Sequence, residues 1–231
     1  MAIDLNPNAI SPGAAGTKPA AATAAEARTA PPAKSGDDAA SSVSLSATSR
    51  QLAQSAIEAE QRDASMTRSE LAAEAARLRE QFIGSGYNEA AAAREVPDTD
   101  DPTLLARAKQ ATAFVQSYGR SSTTENPFKN LSDDQLTLVM YDDSGRYTAN
   151  ERHAAWLEQY DRRQAWKQKV LAQANLEYQA TGQNDKFFQA CIDYYNALPL
   201  IEQAQYPVDY VARTQYWIDN NQPFEGRAVR F

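Results

Sequence analysis

A chain of 231 residues has room for one or two domains, and its 23 basic and 30 acidic residues give a net charge of -7 with no block of Lys or Arg able to neutralise a row of phosphates, which argues against a nucleic-acid partner. No stretch approaches the roughly 20 consecutive apolar residues of a membrane helix, so no membrane partner is expected either. A single cysteine, Cys191, precludes an intramolecular disulfide, and the opening MAIDLNPNAISPG lacks the basic and apolar regions of a cleaved secretion signal; the expected location is cytoplasmic, with export by an uncleaved N-terminal signal as the alternative.

Residues 1–46 are dominated by Ala, Ser, Thr, Pro and Gly, with too few large apolar side chains to offset the entropy of ordering, and read as a disordered tail. From 47 to 83 the pattern becomes helical. Thr48 or Ser49 can cap one long helix in which Ile57, Ala64, Leu71 and Leu78 recur every seven residues and Phe82 extends the stripe. That seam is narrow, and it suits either docking on the body or a free helix. Residues 84–100, with Gly84, Gly86 and Pro97 around a short run of alanines, read as a linker.

The remaining 101–231 read as an α-helical domain. Asp101 as N-cap and Pro102 at the first helical position open a helix that puts Leu104, Leu105, Ala108, Ala111, Phe114, Val115 and Tyr118 on one side and stops at Gly119. Ser132 and Gln135 form a capping box for a short helix, and Leu131 is placed to staple Leu136. A long helix follows over roughly 149–180, with Trp156, Tyr160, Val170, Ala174 and Tyr178 on a broad face and Gly182 past its end. NDKFFQACIDYYNAL, opened by Asn184, is apolar on most sides and should be the most buried helix; PLIEQAQY supplies a turn or two, and PVDYVARTQYWIDNN a last helix. Alternating strand patterns are missing throughout. The expected fold is all-α, a helical bundle or set of orthogonal helices preceded by the long N-terminal helix and the tail.

The segment Met140–Glu151, MYDDSGRYTANE, resembles an EF-hand calcium loop when aligned on Gly145. Asp142 and Ser144 fall at its third and fifth positions, Tyr147 at the apolar eighth, Thr148 at the ninth and Glu151 at the twelfth. The resemblance implies a calcium set of the Asp142, Ser144 and Thr148 side chains, the Arg146 backbone carbonyl and two oxygens of Glu151. The first position departs from the pattern, because Met140 stands where Asp is usual and a thioether is a poor ligand for a hard cation. Weak binding, at ~10⁻⁴ to 10⁻³ M, is the most such a loop can offer. The same residues also make sense without metal: Thr148 and Glu151 as a capping box, Asp142 to Arg146 as a tight turn, and Gly145 supplying a positive φ. No cofactor is expected on this second reading, and weakly bound calcium on the first.

Other chemistry is sparsely provided. One His and one Cys cannot build a hydrolase triad or a zinc site; His153 reads as a solvated or interfacial side chain and Cys191 as packed core. No catalytic residue is assigned, and the chain reads as a non-enzyme. The aromatics Trp156, Trp166, Tyr178, Phe187, Phe188, Tyr194, Tyr195, Tyr206, Tyr210, Tyr216 and Trp217 serve either a helical core or a groove for a partner. MAID and SVSLSATSRQLA resemble the N-terminal half of flagellar anti-sigma factors, and the C-terminal part resembles bacterial helical domains. The expectation is a bacterial interaction or regulatory protein with an unidentified protein partner; a calcium module and a flagellar or type III exported regulator are the alternatives.

Overall fold

The structure, a computed structural model, describes residues 37–120, 123–222 and 224, so residues 1–36 of the expected 1–46 tail lie outside the described residues. The described residues form nine helices and no strand: α1 (Asp37–Ser65), α2 (Arg68–Glu80), α3 (Glu89–Ala92), α4 (Pro102–Ser117), α5 (Asp133–Met140), α6 (Ala149–Thr181), α7 (Asp185–Ala197), α8 (Leu200–Gln203) and α9 (Tyr210–Asp219). The chain is all-α. None of these helices is long and apolar enough to cross a membrane.

Two expectations about the N-terminal region change. The helix begins at Asp37, within the segment read as tail, so Thr48 and Ser49 lie inside it and cap nothing; no Gly or Pro interrupts residues 37–65 to stop it earlier. The single long helix is also two. Thr67 starts α2 with a complete capping box, its hydroxyl accepting from the Glu70 N–H while the Glu70 carboxylate accepts from the Thr67 N–H at 2.7 Å. The heptad stripe breaks with the helix. Leu71 and Leu78 are buried with Ala75 and Phe82, whereas Ile57 is 50% exposed and Ala64 points to solvent.

Later helices start and stop where local chemistry directs. Asp101 caps α4 by accepting from Thr103 and Leu104 N–H, and Ser132 and Thr148 build capping boxes on α5 and α6. Gly182 ends α6 with φ 72°, the left-handed conformation that costs glycine least. Asn184 precedes α7 without capping it; its amide is held by the Ala174 carbonyl at 2.8 Å and by the Phe224 N–H at 2.9 Å.

α6, about 50 Å long, is the spine shared by two hydrophobic clusters. Its N-terminal half packs with α2, α4, α5 and α8 through Phe82, Ala111, Phe128, Leu136, Val139, Ala155 and Ile201. The C-terminal half carries Val170 and Ala174 against Phe187, Phe188 and Cys191 of α7 and Tyr210 of α9. The 84–100 segment is tied down: the Tyr87 hydroxyl donates to Asn150 at 2.8 Å, Glu95 accepts from the Ala149 N–H at 2.8 Å, and the Asp98 N–H donates to the Gly145 carbonyl at 3.2 Å.

Leu78→Ala should cost about 2–5 kcal/mol by leaving a cavity in the first cluster, whereas Ile57→Ala, its partner in the heptad, should stay within about 0.5 kcal/mol. Urea denaturation of both variants checks this. Equal losses would restore the single-seam helix.

Candidate functional site

Three constraints shape the helix-loop-helix around Met140–Glu151. α5 ends at Met140, Gly145 turns the chain at φ 86°, and the Thr148–Glu151 box starts α6. The turn is an Asx-type arrangement in which Asp142 Oδ1 accepts from the Ser144 N–H at 3.0 Å and from the Ser144 hydroxyl.

The candidate calcium residues come together in two groups, and every oxygen of the set meets a donor from the protein. Asp142 Oδ2 accepts from Arg146 Nη2 at 2.7 Å, Arg146 Nε at 3.2 Å and the Ser55 hydroxyl of α1 at 2.7 Å. The Arg146 carbonyl accepts from Gln51 Nε2 at 3.1 Å. Glu151, whose side chain is 0% exposed, accepts from Arg107 Nε of α4 at 2.7 Å through Oε1 and from the Thr148 N–H at 2.9 Å through Oε2. Thr148 Oγ1 also caps the Glu151 N–H at 3.2 Å. As arranged, the loop does not present an open set of oxygens to a calcium ion. Two guanidinium groups stand beside the carboxylates that such an ion would bridge.

Arg107 and Arg146 were not singled out as carboxylate partners by the sequence. Arg107 lies 44 residues from Glu151, with a side chain only 10% exposed, stacked over the rings of Tyr147 at 5.0 Å and Phe128 at 5.4 Å. Its Nη2 donates at 2.8 Å to Gln51 Oε1, so one α1 glutamine links the Glu151 pair to the loop backbone. Arg146 reaches a second carboxylate, Glu58 of α1, through both terminal nitrogens. That hydrogen bond holds the Glu58 carboxyl down to about 2, and the two acids raise the Arg146 guanidinium in turn. Arg62 completes the α1 stripe with a long contact to the Tyr141 carbonyl, 3.5 Å.

Arg152 sits just beyond the loop and ties two helix ends. It donates to the Met140 carbonyl ending α5 at 3.0 Å and to the Leu78 carbonyl of α2 at 3.1 Å, with its guanidinium over the Phe82 ring. Burial lowers its pKa without a carboxylate in direct contact. Tyr147 is buried beside the loop, and that burial pushes its phenol up to about 12.

His153 is less solvated than its charged neighbours suggested. It lies between Tyr87, ring centroids 5.2 Å apart, and Trp156 at 6.0 Å, and its Nδ1 is buried with no hydrogen-bond partner. Burial pushes the imidazolium down to about 4. Cys191 is core, its thiol pushed up to about 12 by burial and therefore protonated near neutral pH. The aromatics divide: Phe187, Phe188, Tyr195 and Tyr210 are buried, Tyr178 and Tyr216 are exposed, and Trp166 stacks on Tyr194 at 4.4 Å along a cleft of about 180 Å³. Among the described residues no three His, Cys, Asp or Glu side chains gather as a metal cluster.

Arg107→Ala should cost about 3–5 kcal/mol, because it strands the buried Glu151 charge, and Arg107→Ala with Glu151→Gln should cost less than the single change. Thermal and urea unfolding of both variants test the pair; an additive loss would break it. His153 gives a pH signature. Its folded pKa lies below the ordinary value of about 6.5, so the unfolded chain takes the proton first. Stability is complete above about pH 6.5 and falls as pH drops toward 4. His153→Phe should flatten that decline in a pH series of urea midpoints, and an unchanged slope would assign it to other groups.

No family model, curated protein or solved structure matches the chain, so its functional reading is built on this geometry.

Proposed function

We propose that this protein is a non-enzymatic, all-helical interaction protein in which the EF-hand-like loop acts as a clasp closed by side chains. The observation that carries the reading is the pairing of the loop's two buried carboxylates with guanidinium groups, Asp142 with Arg146 and Glu151 with Arg107. In a calcium loop the ion neutralises these acids and fixes the two helices. Here the arginines supply that charge, and Arg107 and Gln51 extend the clasp to α4 and α1. A non-enzymatic role is supported by the state of the two side chains best suited to nucleophilic or acid-base work, since Cys191 is buried as a thiol and His153 is held neutral between aromatic rings. The partner that fits is another protein, given the net charge of -7 and the absence of any cationic track in the sequence.

The test is calorimetric titration of calcium, then magnesium, into the metal-stripped full chain, with Asp142→Asn and Glu151→Ala as controls. The expected result is no saturable heat up to about 1 mM, and a stability loss in each variant that is the same with and without calcium. Saturable heat abolished by either substitution would replace the clasp with a calcium module.

A further inference from the structure

We propose that α1 is a releasable strap that opens as a unit about the Met66–Thr67 joint and uncovers the loop while α2, α5 and α6 stay closed. The inference rests on the clasp reading and adds a moving part to it. Its first ground is the joint. α2 has its own capping box at Thr67 and is anchored independently by buried Leu71, Ala75, Leu78 and Phe82, so the departure of α1 removes no bond that α2 needs.

The second ground is the nature of the contact. α1 docks by a polar stripe, Gln51, Ser55, Glu58 and Arg62, spaced for one helix face, and its buried apolar contribution among the described side chains is Ala47 and Leu52. A cavity of about 230 Å³ lined by Ser55, Glu58, Arg62, Met66, Tyr141 and Asp142 underlies its C-terminal half, next to the joint. Beside that cavity the helix is held by directional bonds from Ser55, Glu58 and Arg62.

The third ground is the state left behind. Opening separates Gln51, Ser55, Glu58 and Arg62 from the loop, yet the two ion pairs of the clasp, Asp142–Arg146 and Arg107–Glu151, belong wholly to the body and stay formed. No buried charge is orphaned. Glu58–Arg146 is the direct ion pair seen across the strap, and with side chains 41% and 20% exposed it is open to screening by salt. Release would present Gln51, Ser55 and Glu58 on one side and the Arg146 carbonyl and guanidinium on the other, a face suited to a partner helix carrying the same amide, hydroxyl and carboxylate stripe.

Hydrogen exchange of the full chain, read by mass spectrometry at low and high sodium chloride and with and without added calcium, tests the strap. Peptides covering 47–62 should exchange at least about ten-fold faster than those of α2 and α6, with the gap widening as salt rises. In Glu58→Gln, α1 should be fast already at low salt and lose its salt response, with α2 and α6 unchanged. α1 exchanging in step with α2 and α6 at every salt concentration would overturn the proposal, and so would a fast α1 that ignores salt or a Glu58→Gln variant in which all helices loosen together. A calcium-dependent gain of protection confined to 140–151 would overturn the clasp instead, so failure of either idea is told apart from failure of the other.

Discussion

Glu151 is a carboxylate with no exposed surface, and burying such a charge is tolerable only if donors surround it. Thr148 meets one oxygen from the same turn, which local sequence arranges, and Arg107 meets the other from α4, which only folding arranges. From that pair the rest of the site follows. Arg107 lies over the Tyr147 and Phe128 rings, its Nη2 is placed for Gln51, and Gln51 in turn reaches the Arg146 carbonyl. Breaking Glu151–Arg107 therefore disturbs α1, α4 and the loop together.

Arginine is the recurrent joining element in a chain with more acids than bases. Its planar fork can satisfy several acceptors from one side chain, and in this fold the acceptors are often backbone carbonyls at helix ends. Arg152 serves the ends of α5 and α2, Arg68 bonds the Gln203 and Tyr206 carbonyls around α8, and Arg162 bonds the Leu131 and Lys129 carbonyls before α5. The helix dipole favours a cation at the C-terminal ends that Arg152 serves, whereas Arg162, on the N-terminal side of α5, is held by those carbonyls together with Asp133 and Glu158. Beside the first cluster, Tyr141 donates to the buried Glu202 of α8 at 2.7 Å and accepts from Gln205, so α8 is fixed to the end of α5 by hydrogen bonds. Directional bonds of this kind fix helix register in a way that apolar contact alone does not.

The division between the firmly packed body and the polar attachment of α1 explains why hydrophobic periodicity read α2 well and α1 poorly. Leu71 and Leu78 obey the rule that apolar side chains face the core, while α1 presents Gln51, Ser55 and Glu58 to the body beside the buried Ala47 and Leu52, and its isoleucine faces out. The break between them was written in Thr67 and Glu70 as a capping box, a signal that the seven-residue stripe overran. The 84–100 segment is a different case. Gly and Pro marked it as irregular, but irregular chain can still be anchored, and Tyr87, Glu95 and Asp98 are each bonded to the loop or to the start of α6.

The sequence by itself determined what is decided within one or two turns of chain: the all-helical class, the caps at Asp101, Ser132 and Thr148, the turn at Gly145 and the stop at Gly182, because each rests on a residue's own side chain or φ preference. It also brought the five loop residues into view. Only the tertiary structure decided what those residues face. Arg107, Glu58 and Gln51 are 44, 88 and 95 residues from their loop partners, and no local pattern encodes a charge arriving from that distance. A loop's residues fix which groups need neutralising, and the packing of distant helices fixes what neutralises them.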